Sequence, residues 1–390
     1  MRRRPDTLFT PAFVALTVSD LAYCTATGAL LGVTPFFVTG PLDGGPAAVG
    51  VAVGASGVTT LVLRPLAGRW ADRHGRRPLL VGGASLLAVL VLGHLLVTDL
   101  AWLVVLRLLL GAAEALYVVA GFAALADLAP AGRAGEALSY NSLALYVGIA
   151  VGPVVGQALL GSGGFAAVWA GGAVLLAVAA LLAARVPETL EPVSGPSAAP
   201  PLLHPAVLLP GIGLLAGVAV VGGFTAFAPL HAARIGLDAW STVLGLFGLV
   251  VVVCRTVFAT LPDRVPPLRL AAAALGASAA GLTLVAAVPS AEGLLAGTAS
   301  LAVGTAFLTP AVFAAVFSRV PPSQRGSAAG TASVFIDLGL GGGPLLLGLV
   351  ASAGGIPAAF LTAAGLAAGG AVLLASRPVA GARPDPRELR

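Results

Sequence analysis

Apolar residues run through this chain in long unbroken stretches joined by short polar links, and they seldom alternate with polar residues. A helix that crosses a bilayer needs about 20 mostly apolar residues. Twelve stretches reach that length: 10–38, 47–67, 78–97, 101–127, 136–160, 164–185, 206–230, 239–260, 269–288, 293–318, 327–353 and 356–376. Strands of a membrane barrel would be about 10 residues long with alternating polarity. The pattern therefore predicts an all-α membrane protein with twelve transmembrane helices. Most links are very short, so consecutive helices are expected to be antiparallel neighbours, and an even count puts both termini on one side.

Composition agrees with this pattern. Hydrophobic residues make up 58% of the 390 residues and charged residues only 9%, with a mean hydropathy of +1.01. Soluble domains carry roughly 25% charged residues, so a chain this long could not cover itself with a hydrated surface. The start, Met1 to Arg4, leads into an apolar run too long for a cleavable signal, and the segment is expected to stay attached.

Several chemistries are excluded. All 21 basic residues are arginine, and a phosphate-binding loop of the GxxxxGK[ST] type needs a lysine, so no nucleotide is expected. The net charge of +5 is too small and too split to suggest nucleic acid. Cys24 and Cys254 lie in apolar runs and form no metal or disulfide framework. The histidines at 74, 94, 204 and 231 have no metal spacing, and no GxSxG nucleophile turn occurs. The chain reads as a non-enzyme without cofactor or metal.

The arginines test the map. With a cytoplasmic N-terminus, 19 of 21 fall on inner segments, Arg64 and Arg255 counted among them; Arg234 lies in an outer link and Arg107 inside a span. Such asymmetry follows the positive-inside rule and predicts a multi-pass protein of the cell membrane with both termini cytoplasmic.

A shift of 191 residues superposes distant positions: Arg64 on Arg255, Asp72 on Asp263, Arg73 on Arg264, Gly135 on Gly326, Gly148 on Gly339, Gly152 on Gly343 and Pro153 on Pro344. The chain is expected to be two six-helix bundles, 1–186 and 205–390, the second ending in a short cytoplasmic tail, joined by a Pro/Ser-rich cytoplasmic linker, 187–204. Duplicated bundles facing each other around a midplane site are the usual plan of secondary transporters.

Three motifs carry a family resemblance over essentially the whole chain. Between spans 2 and 3 the sequence has Gly68, Asp72, Arg73, Gly75, Arg76 and Arg77 in the order GxxxDRxGRR. Span 4 has Leu103, Arg107 and Gly111 at four-residue spacing, with Leu110 where glutamine is usual. Span 5 has Gly148, Gly152, Pro153 and Gly156, with Gln157 where a second glycine is usual. These resemble the major facilitator superfamily, in particular its twelve-span drug/proton antiporter-like exporters. The resemblance implies a conformational latch of Gly68, Asp72, Arg73, Gly75, Arg76, Arg77 and Asp127, with Asp72 facing the start of span 11 near Gly326. It also implies that Gly148, Gly152, Pro153 and Gly156 form an export-type seam. On the same analogy, Tyr23, Tyr117, Phe224, Phe227, Phe307 and Phe313 are substrate-cavity candidates. Tyr140 and Asn141 are further polar candidates in span 5.

Asp20, Arg107, Glu114 and Asp337 are ionisable residues within spans. Central charges cost at least ~2.5–3.5 kcal/mol each on insertion scales, which makes a paired or functional role the expectation. Arg107 and Glu114 are two helical turns apart on one face, and Asp20 falls at a depth between them. A polar group of these three is expected, with Asp20 or Glu114 carrying a coupling proton. Asp337 is open to recognising a cationic substrate or capping a helix.

The resulting expectation is a functional monomer in the lipid bilayer that exports a small lipophilic or amphipathic compound against protons. The alternatives are an uptake permease for a sugar or metabolite, and a transporter-like sensor or lipid-handling protein.

Overall fold

The computed structural model describes residues 7–130, 133–190, 204–258, 261–321 and 324–376. These are helical, with no strand among them. The helices are α1 (Pro11–Thr39), α2 (Pro46–His74), α3 (Arg76–Gly93, continued by a 3₁₀ turn to Leu96), α4 (Leu100–Leu128), α5 (Ala134–Ala183), α6 (Pro205–Arg234), α7 (Ser241–Val257), α8 (Leu261–Arg264), α9 (Pro267–Ala287), α10 (Ala291–Phe317) and α11 (Arg325–Ala375).

Their starts are written locally. Pro11, Pro46, Pro205 and Pro267 occupy first-turn positions, where a missing N–H costs nothing. Thr10 and Asp99 accept from the N–H groups of Phe13 and Trp102, at 3.2 and 2.8 Å, which caps α1 and α4.

Among the described residues nine helices are long and apolar enough to cross a membrane. The difference from the expected twelve has three sources. α5 and α11, 50 and 51 residues long, are continuous by hydrogen bonding but contain non-helical backbone. In α5 this falls at Gly163, in the link read from the sequence, and at Gly164 (φ +64°), the first residue of the stretch that follows it; in α11 it falls at Gly355 (φ +81°), within a link. A left-handed φ favours glycine, which has no Cβ to clash. The third source is α7, apolar but only 17 residues long.

Side chains such as Leu181, Val372, Val62 and Val89 are more than 60% exposed. Exposed apolar bands on helices this long are stable only in lipid. α1 packs along α5, α2 along α4, α6 and α9 along α11, and α9 along α10. Two further seams, α2 with α11 and α5 with α7, join 7–190 to 204–376.

The segment read as linker divides. Residues 191–203 lie outside the described residues. Glu188, by contrast, is fastened to the α2–α3 turn, where its carboxylate accepts from the N–H groups of Arg76 and Arg77 at 2.9 and 3.2 Å.

Candidate functional site

The site is a line of polar side chains in the middle of α1, α2, α4, α5 and α11. On α1, Asp20 accepts from Tyr117 Oη of α4 and from Asn141 Nδ2 of α5, each at 2.8 Å. Ser19 Oγ lies 2.8 Å from both Tyr117 Oη and the carbonyl oxygen of Ala179. One helical turn along α1, Tyr23 donates to Glu114 Oε1 at 2.6 Å. The Tyr23 and Tyr117 rings pack with centroids 4.7 Å apart. The two acids are thus each held by a tyrosine, and the tyrosines touch.

Arg107 does not join them. Its Nη2 meets Thr34 Oγ1 on α1, and no ion pair links it to Asp20 or Glu114 among the described residues. The shared helix face was legible from spacing, but a long side chain can reach away from its neighbours, and this one does.

Asp337, buried on α11, is met by Arg64 of α2, with Nε 2.9 Å from Oδ2. Arg64 was counted among inner-segment arginines, yet it stands about 15 Å inside the end of α2 at 1.5 Å per residue. Its equivalent, Arg255 of α7, lies with its guanidinium carbon 4.4 Å from the ring centre of Tyr146 on α5. Sequence reasoning missed both arginines as interior groups. Their coincidence under the 191-residue shift was the available signal.

The GxxxDRxGRR segment forms the α2–α3 turn. Gly75 ends α2 at φ +100°, a conformation that requires its missing Cβ. Arg76 reaches Asp72 at 3.2 Å, Asp127 at 3.3 Å and the Ala71 carbonyl at 3.0 Å. Arg77 donates to the Ala184 carbonyl at 2.7 Å. Asp72 is exposed and Arg73 projects outward. Space beside Gly68 is open, with no other helix packed closely against it in this structure. The side chain region of Asp263 and the surroundings of Gly326 lie outside the described residues.

Gly148, Gly152 and Gly156 all face α1. A Cβ on Gly152 would stand 2.7 Å from Thr25 O and 2.8 Å from Ala29 N, and one on Gly156 2.9 Å from Ala29 O. Gly28 of α1 packs back on Gly148 and Gly152. This is small-residue packing of the kind that brings helices together in lipid. Gln157 donates to the Asp238 carbonyl at 3.0 Å and accepts from Ser241 N–H at 2.9 Å, so it bridges α5 to the start of α7.

Among the aromatic candidates, Phe224 packs at a tilt against Phe247 and Phe360 and, like Phe227, is fully buried. Phe307 is buried, and Phe313 packs on Phe317. Tyr140 is 41% exposed and meets the Phe9 ring edge-on.

The family model described as Major Facilitator Superfamily matches residues 16–302 and 263–389. The chain belongs to the major facilitator superfamily. It is 32% identical over 358 residues to an uncharacterized MFS-type transporter of Salmonella typhimurium, covering 87% of this chain and 89% of that protein. To an uncharacterized MFS-type transporter of Burkholderia mallei it is 33% identical over 358 residues, covering 89% and 87%. Its fold is similar to the nucleoside transporter NupG (TM-score 0.77, 15% identity, 94% of this chain and 99% of that one). It is also similar to the human organic anion transporter MFSD10 (TM-score 0.71, 18% identity, 93% and 99%). As a superfamily member this is a multi-pass membrane transporter that needs no cofactor. No cluster of three His, Cys, Asp or Glu able to hold a metal occurs among the described residues.

Proposed function

We propose that this superfamily member is a twelve-span exporter in the bacterial inner membrane, working as a monomer and exchanging a small lipophilic or amphipathic compound for protons. The arms of α5 and α11 on either side of their glycine breaks, together with the 17-residue α7, support a count of twelve crossings; we take these as two six-helix bundles, 1–186 and 205–390, with 187–204 as the cytoplasmic connection and both termini cytoplasmic.

Alternating access has support in where the bundles meet. Ala47 N–H donates to Ser352 Oγ at 2.9 Å, Gln157 bridges Asp238 and Ser241, and the rings of Phe36 and Trp240 lie 5.0 Å apart. These contacts gather toward the end with the α1–α2 turn, away from the arginine-rich α2–α3 turn. We read the structure as closed to the outside. In this state Asp72 is exposed, while Arg76 keeps its pair with Asp127.

The observation that carries proton coupling is the hydroxyl count around Asp20. Three contacts of 2.8 Å run from Asp20 to Tyr117, from Tyr117 to Ser19 and from Ser19 to the Ala179 carbonyl. Tyr117 and Ser19 bring one proton each. A carboxylate at Asp20 accepts from Tyr117 and leaves the Tyr117 and Ser19 oxygens facing each other with no hydrogen between them; a proton on the carboxyl reverses that bond, so that Asp20 donates to Tyr117 and Tyr117 to Ser19. Loading and unloading a proton at Asp20 therefore makes and breaks the Tyr117–Ser19 hydrogen bond between α4 and α1, within a network that also reaches α5. Glu114, held by Tyr23, is the second carrier candidate.

In proteoliposomes, pH-gradient-driven dye transport is expected in the wild-type protein and lost in Asp20→Asn. Undiminished transport in both Asp20→Asn and Glu114→Gln ends the proposal. Uptake is the second reading. Gln157, which replaces a glycine of the export-type motif, favours it, and inside-out vesicles that fail to accumulate substrate under a pH gradient would select it.

A further inference from the structure

The 191-residue offset that relates the two bundles also relates the partners of two interior arginines. Arg64 corresponds to Arg255, and Asp337, which meets Arg64, corresponds to Tyr146, which meets Arg255. Both contacts cross between bundles, one on the α2–α11 seam and the other on the α5–α7 seam. The first pair is formally neutral. In the second the chain places an aromatic ring where its own duplicate places a carboxylate, and the guanidinium charge stays uncancelled.

The local geometry bears this out. Nε and Nη2 of Arg255 are buried without a hydrogen-bond partner, and no carboxylate lies within ion-pair distance of it among the described residues. Tyr146 lies about 18 Å inside the start of α5 at 1.5 Å per residue, near mid-depth. Substrate sites of duplicated transporters lie at that depth, on the repeat interface. A ring face attracts a guanidinium but supplies no lone pairs for its N–H groups. A carboxylate or phosphonate supplies both the charge and two acceptors in the fork geometry that arginine presents.

We propose that Arg255, backed by Tyr146, is the recognition site for an acidic group on the transported compound, which makes the substrate class an organic anion with an apolar body. The inference rests on the transporter reading for its place on the substrate path. Because the site lies between the bundles, an anion bound there contacts both, and its release is coupled to their separation.

The test is equilibrium binding to the full chain in lipid nanodiscs without a pH gradient. Benzoate and phenylphosphonate are the probes, benzamide is the neutral control, and ionic strength is held constant. The expected result is saturable binding of at least one acid and none of the amide, at least about tenfold weaker in Arg255→Gln. Tyr146→Asp restores in the second seam the acid that the first seam has, and is expected to weaken anion binding similarly while the melting temperature holds or rises. This second variant carries the test if Arg255→Gln does not fold. Acids that bind no better than benzamide, or acid binding unchanged in Tyr146→Asp, overturn the proposal. Anion binding with no pH-driven transport would instead sink the exporter reading and leave this site standing.

Discussion

Arg76 Nε lies 3.3 Å from Asp127 Oδ2, which ties the α2–α3 turn to the end of α4, while the same guanidinium holds Asp72 one helical turn back at 3.2 Å. Asp127 in turn accepts from Thr189 Oγ1 at 2.8 Å. One arginine therefore gathers four chain segments at the arginine-rich end of the molecule.

Removing that side chain is expected to cost little stability and much function. The pairs are partly exposed, and such pairs contribute at most about 1 kcal/mol each. Arg76→Ala should therefore fold, with a melting temperature lowered by a few degrees or less and transport reduced at least about tenfold. A variant that melts normally and transports normally would show that the turn merely anchors topology.

Glu188 gives a pH signature outside the membrane. Partial burial opposes its charge, but backbone N–H groups of Leu190, Arg76, Arg77 and Thr189 outweigh that and hold its pKa below the usual glutamate range. A lowered folded pKa contributes stability above the unfolded value of about 4.3 and loses it as pH falls through the folded value. Glu188→Gln should lower the melting temperature at pH 7, and the gap to wild type should close below about pH 4. A gap that widens on acidification would contradict this.

The α1–α5 seam has no room for side chains. A Cβ at Gly152 would already stand 2.7 Å from a backbone oxygen, and overpacking costs about 1–3 kcal/mol or more. Gly152→Val is expected to reduce folded yield sharply, whereas Gly68→Ala, beside open space, should express normally. Size-exclusion profiles of the two variants decide the matter.

The Asp20 network should respond to loss of a hydroxyl as well as of the acid. Tyr117→Phe removes the middle of the chain from Asp20 to Ala179 and is expected to shift the pH optimum of transport. Tyr23→Phe, which touches Glu114, should leave that optimum near its wild-type position if Asp20 carries the proton.

Much of this was legible in the sequence. Apolar run length located the helices, and Gly163 and Gly355, which break α5 and α11, fell in the links between runs, with Gly164 at the first position of the next run. The resemblance grouped Asp127 with the GxxxDRxGRR turn, and the structure makes Arg76 its partner. Three things were not legible. Arg107 turns to Thr34 rather than to the acids because spacing fixes a helix face, not the reach of a long side chain. Glu188 docks on a turn more than a hundred residues away, which a Pro-rich local composition conceals. Arg64 and Arg255 looked like inner-face arginines because positive-inside counting scores a charge near a helix end without asking what it touches.

The most direct test is a pair of spin-label distances. One pair sits at Ala47 and Ser352, which meet across the closed end, and the other at Arg73 and Arg325, both exposed at the arginine-rich end. Cys24 and Cys254 are buried and stay out of the labelling. As pH or substrate is varied, the first distance should lengthen while the second shortens. Two distances that stay fixed, or that lengthen together, would contradict a transporter whose halves rock about a central site.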